Sequence, residues 1–388
     1  MTDLNRRDAL LASGVAVGGL LAAAGSNATD AQEARDPIPT FRYPLEQQRG
    51  RVHEGGSAKE ASVRQLPISR GLAGVSMRLT PGGMRELHWH ANAAEWAYVV
   101  RGRCRTTVIA PDGTSETNDF GPGDVWYFPR GHGHAILGLG PGECHFILVF
   151  DNGAFAESAT FSVTDWLGLT PPAVLSKCLG LPAEDVARFP RRELYIVQGR
   201  VPPERPAAPR QGQLRSPPNT HRYALMAQQP YHRYAGGLER RVSAREFPIS
   251  TTMTGVVMDL EAGAVREPHW HPHANEWLYV LAGQARMTAF GSSGRARTED
   301  FRTGDVGYVP QGFGHYLENT GEGTCRLLVV FDSGEYQEIS LSTWLAANPT
   351  QMVADNLGLT DATAGRLPDH RVFIAPGRGA AGPERAPR

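Results

Sequence analysis

Cysteine is scarce in this chain, with four among 388 residues and no two in a C-x-x-C pair. That scarcity excludes a disulfide-scaffolded small domain and a cysteine-ligated zinc or iron–sulfur module. An excess of one charge is also lacking, since 39 basic against 40 acidic residues leave a formal −1. Without a basic surplus there is no broad electrostatic footprint for nucleic acid or for an anionic lipid surface. What the chain does have in quantity is glycine, 44 residues, and proline, 29. Such a composition suits short strands joined by many turns better than long helices.

The first 31 residues read as a segment apart from the fold. Asn5-Arg6-Arg7-Asp8-Ala9-Leu10-Leu11 opens a stretch of Ala, Gly, Leu and Val that runs to Gly25, with small residues from Ala28 to Ala31. This resembles a twin-arginine export signal with a small-residue cleavage region, the alternative being a short amphipathic N-terminal helix. Its apolar run is too short and too Gly-rich for a comfortable membrane span. The expectation is a soluble mature protein, periplasmic or secreted, with residues 1–31 removed.

One ligand set occurs twice. His88, His90, Glu95 and His134 recur as His269, His271, Glu276 and His315, and from 88 to 269, 90 to 271, 95 to 276 and 134 to 315 the step is always 181. A chain of this length admits two or three domains, and the repeat settles on two. The first half, from Pro67-Ile68-Ser69 to Phe150-Asp151-Asn152-Gly153, maps without insertion onto Pro248-Ile249-Ser250 through Phe331-Asp332-Ser333-Gly334. The expected domains are residues 40–198 and 221–388, joined by a Pro-rich, extended linker over 199–220.

Runs such as Glu95-Trp96-Ala97-Tyr98-Val99-Val100 and Val125-Trp126-Tyr127-Phe128 are β-branched or aromatic and bounded by turn formers. They read as strands of a sandwich or barrel, with Asp112-Gly113 and Ser293-Gly294 as hairpin turns. Behind each β block, Thr170-Pro171-Pro172 to Gly180 and Asn348-Pro349 to Gly358 carry proline at the first turn and glycine past the end, the marks of short helices. Cys144 and Cys325 are repeat mates and read as small apolar core residues. A Cys104–Cys144 bridge is the alternative, although Ala285 stands where the first half has Cys104.

On a strand alternate side chains share a face, so His88 and His90 point one way and Trp89 the other. Glu95 and His134 then arrive from neighbouring strands. Gly82, Gly102, Gly123, Pro129 and Gly131 bracket the first set, and Gly263, Gly283, Gly304, Pro310 and Gly312 bracket the second. A lone H-x-H is weak, but a duplicated three-histidine, one-carboxylate set inside matching glycine frames specifies a metal site. Those four ligands leave octahedral positions open, which suits chemistry rather than a closed structural site. The residues alone admit zinc, copper, iron, nickel or manganese. Arg85 and Arg266, each three residues before the ligand strand's first histidine, read as candidate binders of an anionic substrate. His132, His145 and His273 fall outside the repeat and read as solvated or structural.

The pattern G-x5-H-x-H-x4-E-x6-G followed by G-x5-P-x-G-x2-H is similar to the signature of the cupin superfamily. Two copies make a bicupin, an all-β fold of duplicated double-stranded β-helix (jelly-roll) barrels with short flanking helices. More narrowly, Arg85-Glu86-Leu87-His88-Trp89-His90, Trp126-Tyr127-Phe128-Pro129, Thr164-Asp165-Trp166-Leu167 and Gly304-Asp305-Val306-Gly307-Tyr308 resemble the bicupin oxalate decarboxylases over about residues 40–375. The resemblance implies two manganese ions per chain, oxalate as substrate, formate and carbon dioxide as products, and dioxygen as co-substrate. It also implies a homo-oligomer, trimer or hexamer, and an N-terminal site where Glu157 shuttles the proton from a mobile lid. The tryptophans matching Trp89 and Trp270 are proposed in that family to stack between subunits. Two departures stand out. The lid reads Ala156-Glu157-Ser158-Ala159-Thr160 where the family pattern is Ser-Glu-Asn-Ser-Thr, which brings oxalate oxidase chemistry into consideration, with a non-catalytic binding bicupin as the other alternative. Val329 occupies the second-half position where such enzymes can carry a glutamate, and Glu338, repeat mate of Glu157, reads as part of an ordered element.

Overall fold

The computed structural model describes residues 37–155, 160–206 and 215–377. The expected export segment and Glu157 lie outside the described residues. Alternating sequence builds two barrels, each from one seven-stranded and one six-stranded antiparallel sheet. In the first barrel Gly83–His90 is central to the six-stranded sheet, flanked by Gly133–Gly138 and by Thr160–Ser162, with Cys104–Ile109 and Ser115–Phe120 beyond. The seven-stranded sheet runs through Val125–Phe128, Glu95–Arg101, Cys144–Phe150 and Ala73–Leu79. Side chains of both sheets, among them Met77, Val99, Cys104, Ile136 and Phe146, fill the space between them. The second barrel repeats this plan around Val265–Trp270 and Glu276–Ala282.

The turns and helices fall where the residues placed them. Gly113 adopts φ 78° between paired strands Cys104–Ile109 and Ser115–Phe120, and Ser293 and Gly294 adopt φ 62° and 70° at the equivalent hairpin. Helices Pro172–Leu179 and Thr350–Leu357 end at Gly180 and Gly358, both with φ 65°, the left-handed cap that glycine takes without a Cβ clash. Cys104, Cys144 and Cys325 are buried, and all four cysteines are free. The small apolar role holds, and no Cys104–Cys144 bridge is formed.

One feature departs from the expected domain boundaries. Arg42–Tyr43 pairs with Val306–Val309 of the second barrel, and Arg222–Tyr223 pairs with Val125–Phe128 of the first. Each barrel's sheet is thus finished by the opening segment of the other half. The far end of the 199–220 stretch is also bound rather than free-standing, since Ser115 N donates to the Arg215 carbonyl and His221 N to Glu116. Between the barrels lies a shared apolar layer containing Trp96, Tyr127, Val149, Trp277, Tyr308 and Val330. Its closeness requires glycine: a Cβ on Gly74 would sit 2.1 Å from Trp277 Cζ2, and one on Gly255 2.1 Å from Trp96 Cζ2.

Candidate metal centre

Strand register assembles the ligands. His88 and His90 alternate on Gly83–His90, His134 pairs directly with His88, and Glu95 starts a strand of the opposite sheet. The four ligand atoms lie within 4.8 Å of one another, and all four residues are buried. His90 Nε2 and His134 Nε2 each stand 3.3 Å from Glu95 Oε2. In the second barrel His271 and His315 are both 3.1 Å from Glu276 Oε2.

The ring orientations are fixed from behind. His88 Nδ1 donates to the Glu86 carbonyl at 2.7 Å and His134 Nδ1 to the His132 carbonyl at 2.8 Å, while Thr160 Oγ1 stands 2.9 Å from His90 Nδ1. With the Nδ1 protons so committed, the Nε2 lone pairs face inward, the tautomer a metal needs. Burial, followed by the Arg85 charge, holds His88 well below its ordinary pKa, and burial lowers His90 to about 4 despite Glu95. Burial alone would raise the Glu95 carboxyl, but the His134 and His90 imidazoles reverse this and keep it anionic. Three imidazoles and one carboxylate then converge on one spot. His90 Nε2, His134 Nε2 and Glu95 Oε2 are buried with no hydrogen-bond partner, an arrangement that only a cation satisfies. The residues present therefore fit a divalent ion; in the second set the unpartnered atoms are His271 Nε2 and Glu276 Oε1, while His315 Nε2 lies 3.1 Å from Glu276 Oε2.

The two sites differ in what surrounds the ligands. Beside the first lies a cavity of ≈ 100 Å³ reached by Arg85, His88, His90, Glu95, Thr160, Glu193 and Tyr195. Beside the second only ≈ 10 Å³ remains. Since one water needs roughly 10–15 Å³ on this scale, the first site admits a small diacid and the second at most a water.

Arg85 is 3% exposed and directs its guanidinium over the Tyr195 ring at 4.2 Å, with Nη1 donating to the Tyr195 carbonyl at 3.1 Å. Among the described residues its ion-pair partner is Glu193, at 3.9 Å. Arg266, which lines the second pocket, differs in its partners. Its guanidinium is paired with Glu338, which Arg371 also meets and to which Tyr336 Oη donates at 2.6 Å. Burial would raise Glu338, but Arg266 and Arg371 outweigh it and lower its pKa. Val329 lines this closed pocket with Tyr336 and Phe331.

Among the other histidines, His145 is buried against Ser76 Oγ at 2.9 Å and His273 is exposed, so both stay outside the ligand sets. His132 contributes only its carbonyl, to His134. Trp89 faces away from the ligands, stacked on Phe161 at 5.2 Å.

Two residues with clear roles were missed from sequence. Trp126 Nε1 donates to Glu95 Oε1 at 2.8 Å, whereas its repeat mate is Gly307 and Glu276 Oε1 goes without. Tyr195, at φ 64°, immediately precedes the returning strand Ile196–Gln198, which pairs with the ligand strand through Ile196 and Arg85. Phe373, at φ 61°, does the same for Arg266.

The sequence profile of the Cupin family matches residues 44–187 and 224–364. Oxalate decarboxylase OxdC of Bacillus subtilis is 41% identical over 322 residues, 83% of each chain. An oxalate decarboxylase of Arthroderma benhamiae is 31% identical over 363 residues, covering 87% of this chain and 84% of that one. The chain belongs to the oxalate decarboxylase family of bicupins. Its fold superposes on the Bacillus subtilis oxalate decarboxylase structure at pH 4.6 with a TM-score of 0.81 and 38% identity over 88% of both chains. Another solved structure of that enzyme, with the same TM-score and identity, concerns its Mn(II) centres. Within this family the chain retains both ligand sets, while its second barrel has a smaller cavity lined by Val329 and by Arg266, which is paired with Glu338.

Proposed function

We propose that this protein is a manganese-dependent oxalate decarboxylase with two ions per chain, working at its N-terminal site, with dioxygen as redox partner. The overall change adds one proton to oxalate and splits its C–C bond, giving formate and carbon dioxide. The observation that carries the reading is the pairing of an orphaned three-histidine, one-carboxylate set with an adjoining ≈ 100 Å³ cavity walled by Arg85. When bound, the ion supplies a Lewis-acidic anchor for the substrate and a redox centre. Arg85 sets a buried cation against a carboxylate, which orients the dianion and offsets its charge. Phe150 and Phe155, stacked at 3.8 Å, wall the cavity with apolar surface and limit water. Glu157, two residues after Phe155 in sequence and outside the described residues, carries the added proton to carbon once carbon dioxide has left.

Purified protein given oxalate is expected to yield formate in step with oxalate consumed. Absence of formate refutes the assignment. Glu157→Gln is expected to lower formate production by about 100-fold or more with metal content unchanged. Equal rates would remove Glu157 from the chemistry. A second reading, oxalate oxidase, is favoured by the altered lid, because a carbon that is not reprotonated is open to dioxygen; peroxide formed in proportion to oxalate would establish it. We further infer export to the periplasm or medium through the twin-arginine signal, and assembly into a trimer or hexamer. Support for assembly comes from the tryptophans on the helices behind each barrel, Trp166 at 64% and Trp344 at 55% exposed.

A further inference from the structure

The first site has a neighbour that its mechanism does not use. A second cavity of ≈ 190 Å³ lies outside it, lined by Arg49, Arg51, Lys59, Arg64 and Gln65 among others. Arg51, Glu60 and Tyr195 line both this vestibule and the substrate cavity, so they form the boundary between the two. Phe155 and Thr160, which flank the Glu157 segment, line the inner cavity but not the vestibule.

The vestibule's described lining carries Arg49, Arg51, Lys59 and Arg64 against one carboxylate, Glu60. Lys59 is held by Glu46, but Arg51 forms no ion pair among the described residues. Its guanidinium lies 5.1 Å from the Tyr195 ring centroid, and Arg85 lies 4.2 Å from the same centroid. Two cations therefore share one aromatic ring, Arg51 toward solvent and Arg85 toward the ligands. A carboxylate leaving the first could be met by the second with little uncompensated travel.

The second barrel serves as an internal comparison. There the mate of Arg51 is His232 and the mate of Glu60 is Arg241. Arg241 lies over the Tyr231 ring at 3.8 Å and the Tyr336 ring at 4.3 Å, and Tyr336 lines the small second pocket. The route that is open in the first barrel is occupied by a stacked arginine in the second.

We propose that the Arg51–Tyr195 boundary is an anion port, through which oxalate is drawn from the basic vestibule to Arg85. This rests on the oxalate reading above. The test is stopped-flow binding of oxalate to the manganese-loaded protein without dioxygen, followed by tryptophan fluorescence at several ionic strengths. Arg51→Glu is expected to slow association by about 10-fold and to flatten its salt dependence, while Arg51→Lys stays within about two-fold of wild type. Melting temperature and manganese content are expected to stay unchanged, because Arg51 is exposed and pairs with no carboxylate. If wild type forms formate and Arg51→Glu binds at the wild-type rate with the same salt dependence, the port is refuted and the activity stands. If wild type forms no formate, the activity reading itself fails and the port with it.

Discussion

At the scale of single residues, one indole distinguishes two otherwise matching ligand sets. Trp126 satisfies Glu95 Oε1 and leaves Oε2 for the ion, whereas Glu276 has no such donor. A partner behind a metal ligand is worth about 10–100-fold in affinity. Trp126→Phe is therefore expected to weaken manganese at the first site by that factor and leave the second untouched, as read by two-site titration calorimetry. Two unaltered sites would show that the indole is only packing. The ligands were legible because residue type and period-two spacing are written directly in the chain. Tyr195 was not, because a non-glycine residue at positive φ carries no sequence mark. The repeat step also slips there, to 178 between Tyr195 and Phe373, so alignment by 181 misses the pair.

At the scale of elements, the exchanged strands join the two halves. Arg222–Tyr223 is clasped to the first barrel by Glu116, whose Oε2 accepts from His221 N and Nδ1 and whose Oε1 accepts from Thr220. Burial would raise Glu116, but the His221 and Thr220 hydrogen bonds dominate and lower it from 4.5 to about 2. A carboxyl depressed in the folded state stabilises fully above the unfolded value and loses that contribution as pH falls toward the folded one. Glu116→Gln is thus expected to cost about 1–2 kcal/mol at neutral pH. The gap in melting temperature from wild type should close between pH 4.5 and about 2. A gap independent of pH would mean that the charge plays no part in the clasp. The exchange itself was hidden because a two-residue strand is too short for an alternation signal, which needs four to eight residues. The hairpin turns, the glycines around the ligands and the helix caps were visible because glycine and proline mark them.

At the scale of the molecule, duplication has produced two barrels with the same ligands and different access. Both keep the histidines and glutamate, but the second spends its arginine on Glu338 and fills its cavity with Tyr336 and Val329. Sequence showed the missing glutamate at 329, yet not the ion pair, because long-range partners such as Arg266 and Glu338 have no local signature. The exposed tryptophans on the trailing helices lead to a further expectation: light scattering should give three or six times the mass of one mature chain, and a monomeric mass would refute it. No helix among the described residues is long and apolar enough to cross a membrane. The central claim is that the first barrel's ion and cavity perform the cleavage, and the most direct test is formate production by Glu95→Gln measured beside its manganese content. Loss of formate by about 100-fold or more, with about one ion per chain retained, is the predicted result. Formate at the wild-type rate would contradict it.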